Sequence, residues 1–380
     1  MKAVIAIDSL KGSLSSLEAG EAIRKGILNV YPDADTAVRP LADGGEGTVE
    51  ALTLGMGGAL QTVTVTGPLE QPVNCTYGIL ESSKTAIVEM SGAAGITLVP
   101  DALRNPLNTT TYGVGEVIRD AISKGCRHFI VGIGGSATND GGVGMLQALG
   151  YGMLDKNGTP VPAGARGLKE LAQITDDQVI PELKDCSFRV ACDVTNILCG
   201  DQGCSAIFGP QKGATPEMIR DMDQWLAAYA ELTIAKYPSA SAVTPGTGAA
   251  GGLGFAFLAF TNAVLESGIK IVLEETKLEE YVKDADIVIT GEGRLDGQTV
   301  YGKAPIGVAN IAKKYGKKVI AFSGCVTEDA VKCNDHGIDA FFPILRAVGT
   351  LEDAMDSQKA AHNMEATVTQ VFNLIRLFDK

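Results

Sequence analysis

Three loops of this chain set glycines beside carboxylates directly after a short apolar run. They are Leu41-Ala-Asp-Gly-Gly-Glu-Gly-Thr48, Val131-Gly-Ile-Gly-Gly-Ser-Ala-Thr-Asn-Asp-Gly-Gly142 and Ile289-Thr-Gly-Glu-Gly-Arg-Leu-Asp-Gly-Gln-Thr299. Glycines let backbone N–H groups crowd around a phosphate, and a carboxylate beside them repels that phosphate unless a divalent cation lies between the two. The pattern points to a nucleotide with Mg²⁺ and to phosphoryl transfer.

Each loop also has a plainer reading. In the first, Asp43 as an ordinary helix cap explains one acid but leaves Glu46 and the glycines Gly44, Gly45 and Gly47 without a role. In the second, Gly134, Gly135, Ser136, Thr138 and Asn139 can donate to phosphate while Asp140 meets it through Mg²⁺. Gly132–Ala137 fits the dinucleotide fingerprint G-x-G-x-x-A as well, which would make the protein an NAD-dependent oxidoreductase. Against that, Asp140 would face the pyrophosphate, and no strand ending in an acid follows at the required ~20 residues. In the third loop, Arg294 can grip a carboxylate or phosphate through two parallel hydrogen bonds, Lys303 can neutralise a transferring phosphoryl group, and Asp296 can serve as base or metal ligand. Gly291, Gly293 and Thr299 add neutral donors; the alternative is a surface salt-bridge loop. A fourth segment, Ile7-Asp-Ser-Leu-Lys-Gly-Ser13, offers Asp8 for a metal and Lys11 and Ser13 for a phosphate, or else is a self-satisfied turn. Asp193 ends a further apolar run.

These residues need strands to carry them. Ala3–Ile7 suits a buried parallel strand, and Ser15 with Glu18 forms a capping box ahead of a helix whose apolar face is Ala19, Ala22, Ile23, Ile27 and Val30. A strand over Thr36–Leu41 and a helix over Glu46–Met56 complete a βαβα opening. The rhythm returns with strands at Asp286–Ile289, Val319–Phe322 and Ala340–Leu345, helices at Pro305–Tyr315 and Glu328–His336, and a terminal helix over Leu351–Leu377. The two ends together supply the five βα units of a flavodoxin-like doubly wound sheet. Between them, Gln61–Thr66, Val73–Leu80 and Thr85–Glu89 read as an antiparallel meander, followed by a helix near Tyr112–Lys124, strands at His128–Val131 and Phe188–Cys192, and a helix at Pro216–Tyr237. The expected fold is α/β in two domains: a discontinuous flavodoxin-like domain from residues 1–60 and 281–380, and an inserted mixed α/β domain at 61–280, with the site in the cleft between them.

Bulk properties narrow the partners. A chain of 380 residues can bury two cores, and 45% hydrophobic with 20% charged residues is a globular composition. A net charge of −13 argues against nucleic acid or an anionic membrane, which need a basic face. The eight cysteines contain no Cys-x-x-Cys pair and read as reduced thiols; no stretch approaches the ~20 apolar residues of a membrane span, so the cytoplasm is the expected compartment. A homodimer is compatible with all of this.

Taken together the segments resemble the bacterial glycerate kinases of the type that lacks a P-loop. The matching stretches are Asp8–Leu14, Pro40–Thr48, Asn105–Gly113, Gly132–Gly142, Cys192–Asn196, Gly248–Gly254, Gly291–Thr299 and Gly302–Ile306. Two positions depart from that pattern: Ile7 and Ile197 stand where the family commonly has proline. The resemblance implies ATP-dependent phosphorylation of D-glycerate with Mg²⁺, usually at the 2-hydroxyl to give 2-phosphoglycerate, with 3-phosphoglycerate the other product. On this reading Lys11, Arg294 and Lys303 bind the phosphates and the glycerate carboxylate, and Gly134, Gly135, Ser136 and Asn139 cradle the nucleotide. Asp43, Asp140, Asp193 or Glu292 would position Mg²⁺, and Asp296 or Asp8 would take the hydroxyl proton. The rivals are a kinase for another short hydroxy acid, such as tartronate or hydroxypyruvate, the NAD-dependent oxidoreductase, and a non-catalytic binding module.

Overall fold

Ala3, Val4 and Ile5 are apolar without alternation, which suits a strand covered on both faces, and the computed structural model buries all three. The structure describes residues 1–42, 45 and 47–379. Lys2–Ile5 lies in a five-stranded sheet with the order Asp35–Val38, Lys2–Ile5, Ile287–Thr290, Lys318–Ser323, Ala340–Pro343. Every neighbouring pair is parallel. Numbered by occurrence within this sheet the order is 2-1-3-4-5, the flavodoxin-like arrangement, and its direction reverses between Lys2–Ile5 and Ile287–Thr290.

The first helix, Ser16–Leu28, begins with the expected capping box: Ser15 accepts from the Glu18 N–H, and the Glu18 carboxylate accepts from the Ser15 N–H. Its apolar face packs against the C-terminal helix. The expected single terminal helix is two, Leu351–Met355 and Ser357–Arg376. Asp356 leaves helical geometry at ψ 120° and accepts from the Lys359 N–H at 2.8 Å, so a residue that periodicity passes over ends one helix and caps the next. Glu328–His336 forms 3₁₀ turns rather than an α-helix.

The second sheet has six strands in the order Ala263–Glu266, Ser187–Ala191, His128–Gly132, Thr85–Glu89, Pro72–Leu80, Ala59–Thr66. The last three form the antiparallel meander, and Thr85–Glu89 joins it to three parallel strands. Phe129 and Phe188 stack with ring centres 4.7 Å apart in its core. The chain divides into two compact units, Met1–Asp43 with Ile269–Lys380, and Gly44–Gly268, in place of boundaries at 60 and 280. The helix Thr48–Gly55 accounts for the first difference. It belongs to the second unit: the Val49 N–H donates to the Glu89 carboxylate at 2.8 Å, and a Cβ at Gly78 would fall 1.7 Å from Thr53 Oγ1. That helix is apolar nearly all round, so its sequence carries no sign of which sheet it covers.

Candidate active site

Two adjacent parallel strands of the first unit, Lys2–Ile5 and Ile287–Thr290, lead into loops that meet at the point where strand order reverses. Gly291 makes the turn at φ +153°, where a Cβ would lie 1.7 Å from the Phe322 carbonyl oxygen, so no other residue fits. The Gly291 carbonyl accepts from the Asp8 N–H at 3.0 Å and ties the two loops together. A cavity of about 440 Å³ opens there, lined by Asp8, Lys11, Glu292, Arg294, Asp296 and Lys303 among others. Five residues selected from separate parts of the sequence for catalysis therefore share one cavity with Glu292. It sits at the carboxyl edge of the sheet, where doubly wound folds bind ligands.

The charges in this cavity interlock. Lys303 Nζ stands 3.6 Å from Glu292 Oε2 and 3.6 Å from Asp296 Oδ1, and Arg294 Nε stands 3.7 Å from Asp296 Oδ2. The Gln298 N–H donates to Asp296 Oδ1 at 2.9 Å, and the Ser9 N–H donates to Asp8 Oδ1 at 2.7 Å. The Glu292 carboxyl is mostly enclosed, and burial pushes its pKa up against the opposing pull of a 2.6 Å hydrogen bond from Thr299 and the charge of Lys303. Lys303 stands at the N-cap position of the helix Ala304–Lys314 without a side-chain capping bond, and the first turn of that helix holds Pro305.

Three expected phosphate donors here act otherwise. Ser13 Oγ donates to the Leu10 carbonyl at 2.9 Å and closes its own turn. Thr299 is fully buried behind Glu292 and orients that carboxyl. Gly291 shapes the backbone, leaving Gly293 as the loop glycine that lines the cavity.

In the second unit, the loop after His128–Gly132 keeps Gly134 and Gly135 exposed, with Gly135 left-handed at φ +71°. Ser136 is 8% exposed, and Lys212 Nζ donates to its Oγ at 2.8 Å and to the Thr138 carbonyl at 2.6 Å. Asn139 is fully enclosed and donates to Ser205 Oγ at 2.8 Å, so it does not serve a phosphate at the surface. Asp140, expected beside Mg²⁺, lies inside the loop. Its carboxylate is fully buried and accepts from the Thr111 N–H, the Thr111 hydroxyl and the N–H groups of Gly142 and Gly144, at 2.8 to 3.3 Å. Three of those bonds fall on Oδ2 and one on Oδ1, so the carboxylate ties this loop together from within. Burial raises its pKa although all four bonds oppose the rise.

Asp193 is exposed and accepts from the Gly268 N–H at 3.1 Å. Gly45 accepts at its carbonyl from the Thr48 hydroxyl at 2.7 Å, while Asp43, Gly44 and Glu46 lie outside the described residues. Among the described residues no group of three or more His, Cys, Asp or Glu side chains could hold a metal by itself. Lys212 is the residue that sequence reasoning missed. It sits in a 3₁₀ turn with no motif around it, and only its burial and its bond to Ser136 mark it out. The dinucleotide reading of Gly132–Ala137 finds no support, because the following helix, Val143–Ala148, starts only after Gly142.

The sequence model of the glycerate kinase family matches residues 3–376. Similar proteins include the glycerate 2-kinase of Escherichia coli K12, 49% identical over 97% of this chain and 98% of that one, and the glycerate kinase of Bacillus subtilis 168, 47% identical over 99% and 98%. A crystal structure described as glycerate kinase 2 from Salmonella typhimurium LT2 superposes with a TM-score of 0.92 at 48% identity, covering 99% of this chain and 98% of that one. The chain belongs to the glycerate kinase family.

Proposed function

We infer that this protein is a glycerate kinase that transfers a phosphoryl group from ATP to D-glycerate, at the 2-hydroxyl, giving 2-phosphoglycerate and ADP. The observation that carries the site assignment is the convergence of Asp8, Lys11, Arg294, Asp296 and Lys303 on one cavity at the strand-order reversal. Phosphoryl transfer asks for positioning and charge neutralisation more than for covalent chemistry, and this cavity offers three cations beside three carboxylates. Arg294, with its side chain 64% exposed, is free to grip the glycerate carboxylate through its planar fork. Lys11 and Lys303 neutralise the transferring group, and Asp296 accepts the hydroxyl proton. Gly134, Gly135 and Ser136 hold nucleotide phosphates in the second unit.

The donor set of the cavity fits Mg²⁺. That ion is usually held by one or two carboxylates together with substrate phosphates, and Asp8 and Glu292 provide the carboxylates. Bound there, it would supply neutralisation of phosphate charge. No helix among the described residues is long and apolar enough to cross a membrane, and the eight cysteines are unbridged, which supports a reducing cytoplasmic setting.

A ³¹P NMR time course with D-glycerate and Mg·ATP tests the reading directly. Growth of 2-phosphoglycerate with ADP is expected. Growth of 3-phosphoglycerate would move the acceptor to the other hydroxyl, and no phosphoglycerate of either kind would sink the proposal.

A further inference from the structure

Lys212 is 2% exposed, and among the described residues no carboxylate lies within ion-pair distance of its ammonium. A buried charge without a counter-charge is costly, and such positions are unusual unless something else offsets them. Two of its three N–H bonds are accounted for, by Ser136 Oγ at 2.8 Å and the Thr138 carbonyl at 2.6 Å. Because Ser136 Oγ accepts from Lys212, its own hydroxyl hydrogen is turned elsewhere, and no described residue accepts it.

The backbone around Ser136 is oriented the same way. The Ile96 N–H donates to the Gly135 carbonyl at 2.8 Å, and the Ala137 N–H donates to the Ala94 carbonyl at 3.0 Å. In a planar trans peptide the C=O and the following N–H point in opposite directions, so pinning the Gly135 carbonyl inward aims the Ser136 N–H outward. No described group accepts from the N–H of Gly134, Gly135 or Ser136. Gly134 and Gly135 are exposed, and an added Cβ at either would meet no described atom nearer than 3.6 Å.

Amides without a described acceptor on an exposed glycine loop, backed by a cation with no described anion of its own, describe an oxyanion site. We propose that Lys212 is a positioning residue for nucleotide phosphate, fixing the Ser136 hydroxyl as a donor and supplying the positive charge behind the Gly134–Ser136 amides. The proposal rests on the assignment of this loop to nucleotide phosphates. Burial brings the Lys212 pKa down to about 8, with the Cys204 thiol and Asp140 as the titratable groups that pull it back up. Cys204 is itself raised to about 11 by burial and stays neutral as the lysine titrates, and the Asp140 carboxylate is engaged by its four donors. The lysine is thus cationic below its pKa and neutral above it, and a phosphate is the charge it lacks.

The test uses the full chain with ATP and with inorganic tripolyphosphate as probes. Lys212→Met is expected to raise KM for ATP by at least about tenfold, the effect of losing one hydrogen bond to a charged group, while KM for D-glycerate stays within about twofold. It should also abolish the thermal shift that tripolyphosphate gives the wild type, and Lys212→Arg should restore part of both. Should Lys212→Met not fold, the wild type decides alone. Its affinity for ATP should fall between about pH 7.5 and 9.5, where a terminal phosphate with its last pKa at about 6 no longer titrates. An unchanged KM for ATP, a rise confined to KM for D-glycerate, or an affinity flat over that pH range would overturn the assignment of Lys212. Wild-type protein that neither binds ATP nor phosphorylates glycerate would defeat the kinase reading itself, which is a separate failure.

Discussion

Lys303 stands 3.6 Å from both Glu292 and Asp296, close enough to be held by them and far enough to turn toward a phosphoryl group carrying more charge than either. Asp296 is restrained on one oxygen by the Gln298 N–H and Lys303, while among the described residues its other oxygen has only Arg294 at 3.7 Å, which leaves it open to accept a proton. Steady-state kinetics of Asp296→Asn should therefore show kcat lower by about 10²–10⁴, the usual loss for a general base. Lys303→Ala should lower kcat by at least about tenfold, since its interaction strengthens as charge develops. Wild-type kcat in either variant removes that residue's role. Both residues stand out in the sequence because they lie in or just beyond a glycine-carboxylate loop, and both line the one cavity. Asp140 lies in an equally suggestive motif, yet its burial and its Thr111, Gly142 and Gly144 donors are contacts no motif encodes.

At the scale of elements, local chemistry was legible wherever it acts within a few residues. The Ser15–Glu18 capping box starts its helix as the spacing dictates, and the alternation of short strands in the meander appears with nearly the expected ends. Where two local signals compete, periodicity misleads. The apolar stripe continues through residue 356, yet Asp356 caps Ser357–Arg376 and breaks it. Asp356→Ala should cost about 1 kcal/mol, the usual worth of such a cap, and lower the melting temperature by roughly 2–4 °C in a unit of this size. Calorimetry decides the point, and an unchanged transition would mean that packing of this helix against Ser16–Leu28 outweighs its cap.

For the whole molecule, each unit closes its own sheet: every strand of the six-stranded sheet pairs within Gly44–Gly268, and Phe129, Phe188 and Phe257 pack in a core of that unit alone. Residues 44–268 expressed alone are expected to unfold cooperatively with retained α/β circular dichroism, because the segment is continuous and carries its own core. A chain that stays unfolded would show that the unit depends on the rest of the protein. The sequence by itself determined the α/β class, the strand-end loops and the phosphoryl chemistry, since strand periodicity, caps and glycine-carboxylate loops are properties of neighbours along the chain. Only the tertiary structure decided that Thr48–Gly55 covers the second sheet, that Asp140 is occupied, and that Lys212 stands behind Ser136 from 76 residues away. Burial and hydrogen-bond partners arise from close packing of distant segments, and a linear pattern holds no record of which segments those are.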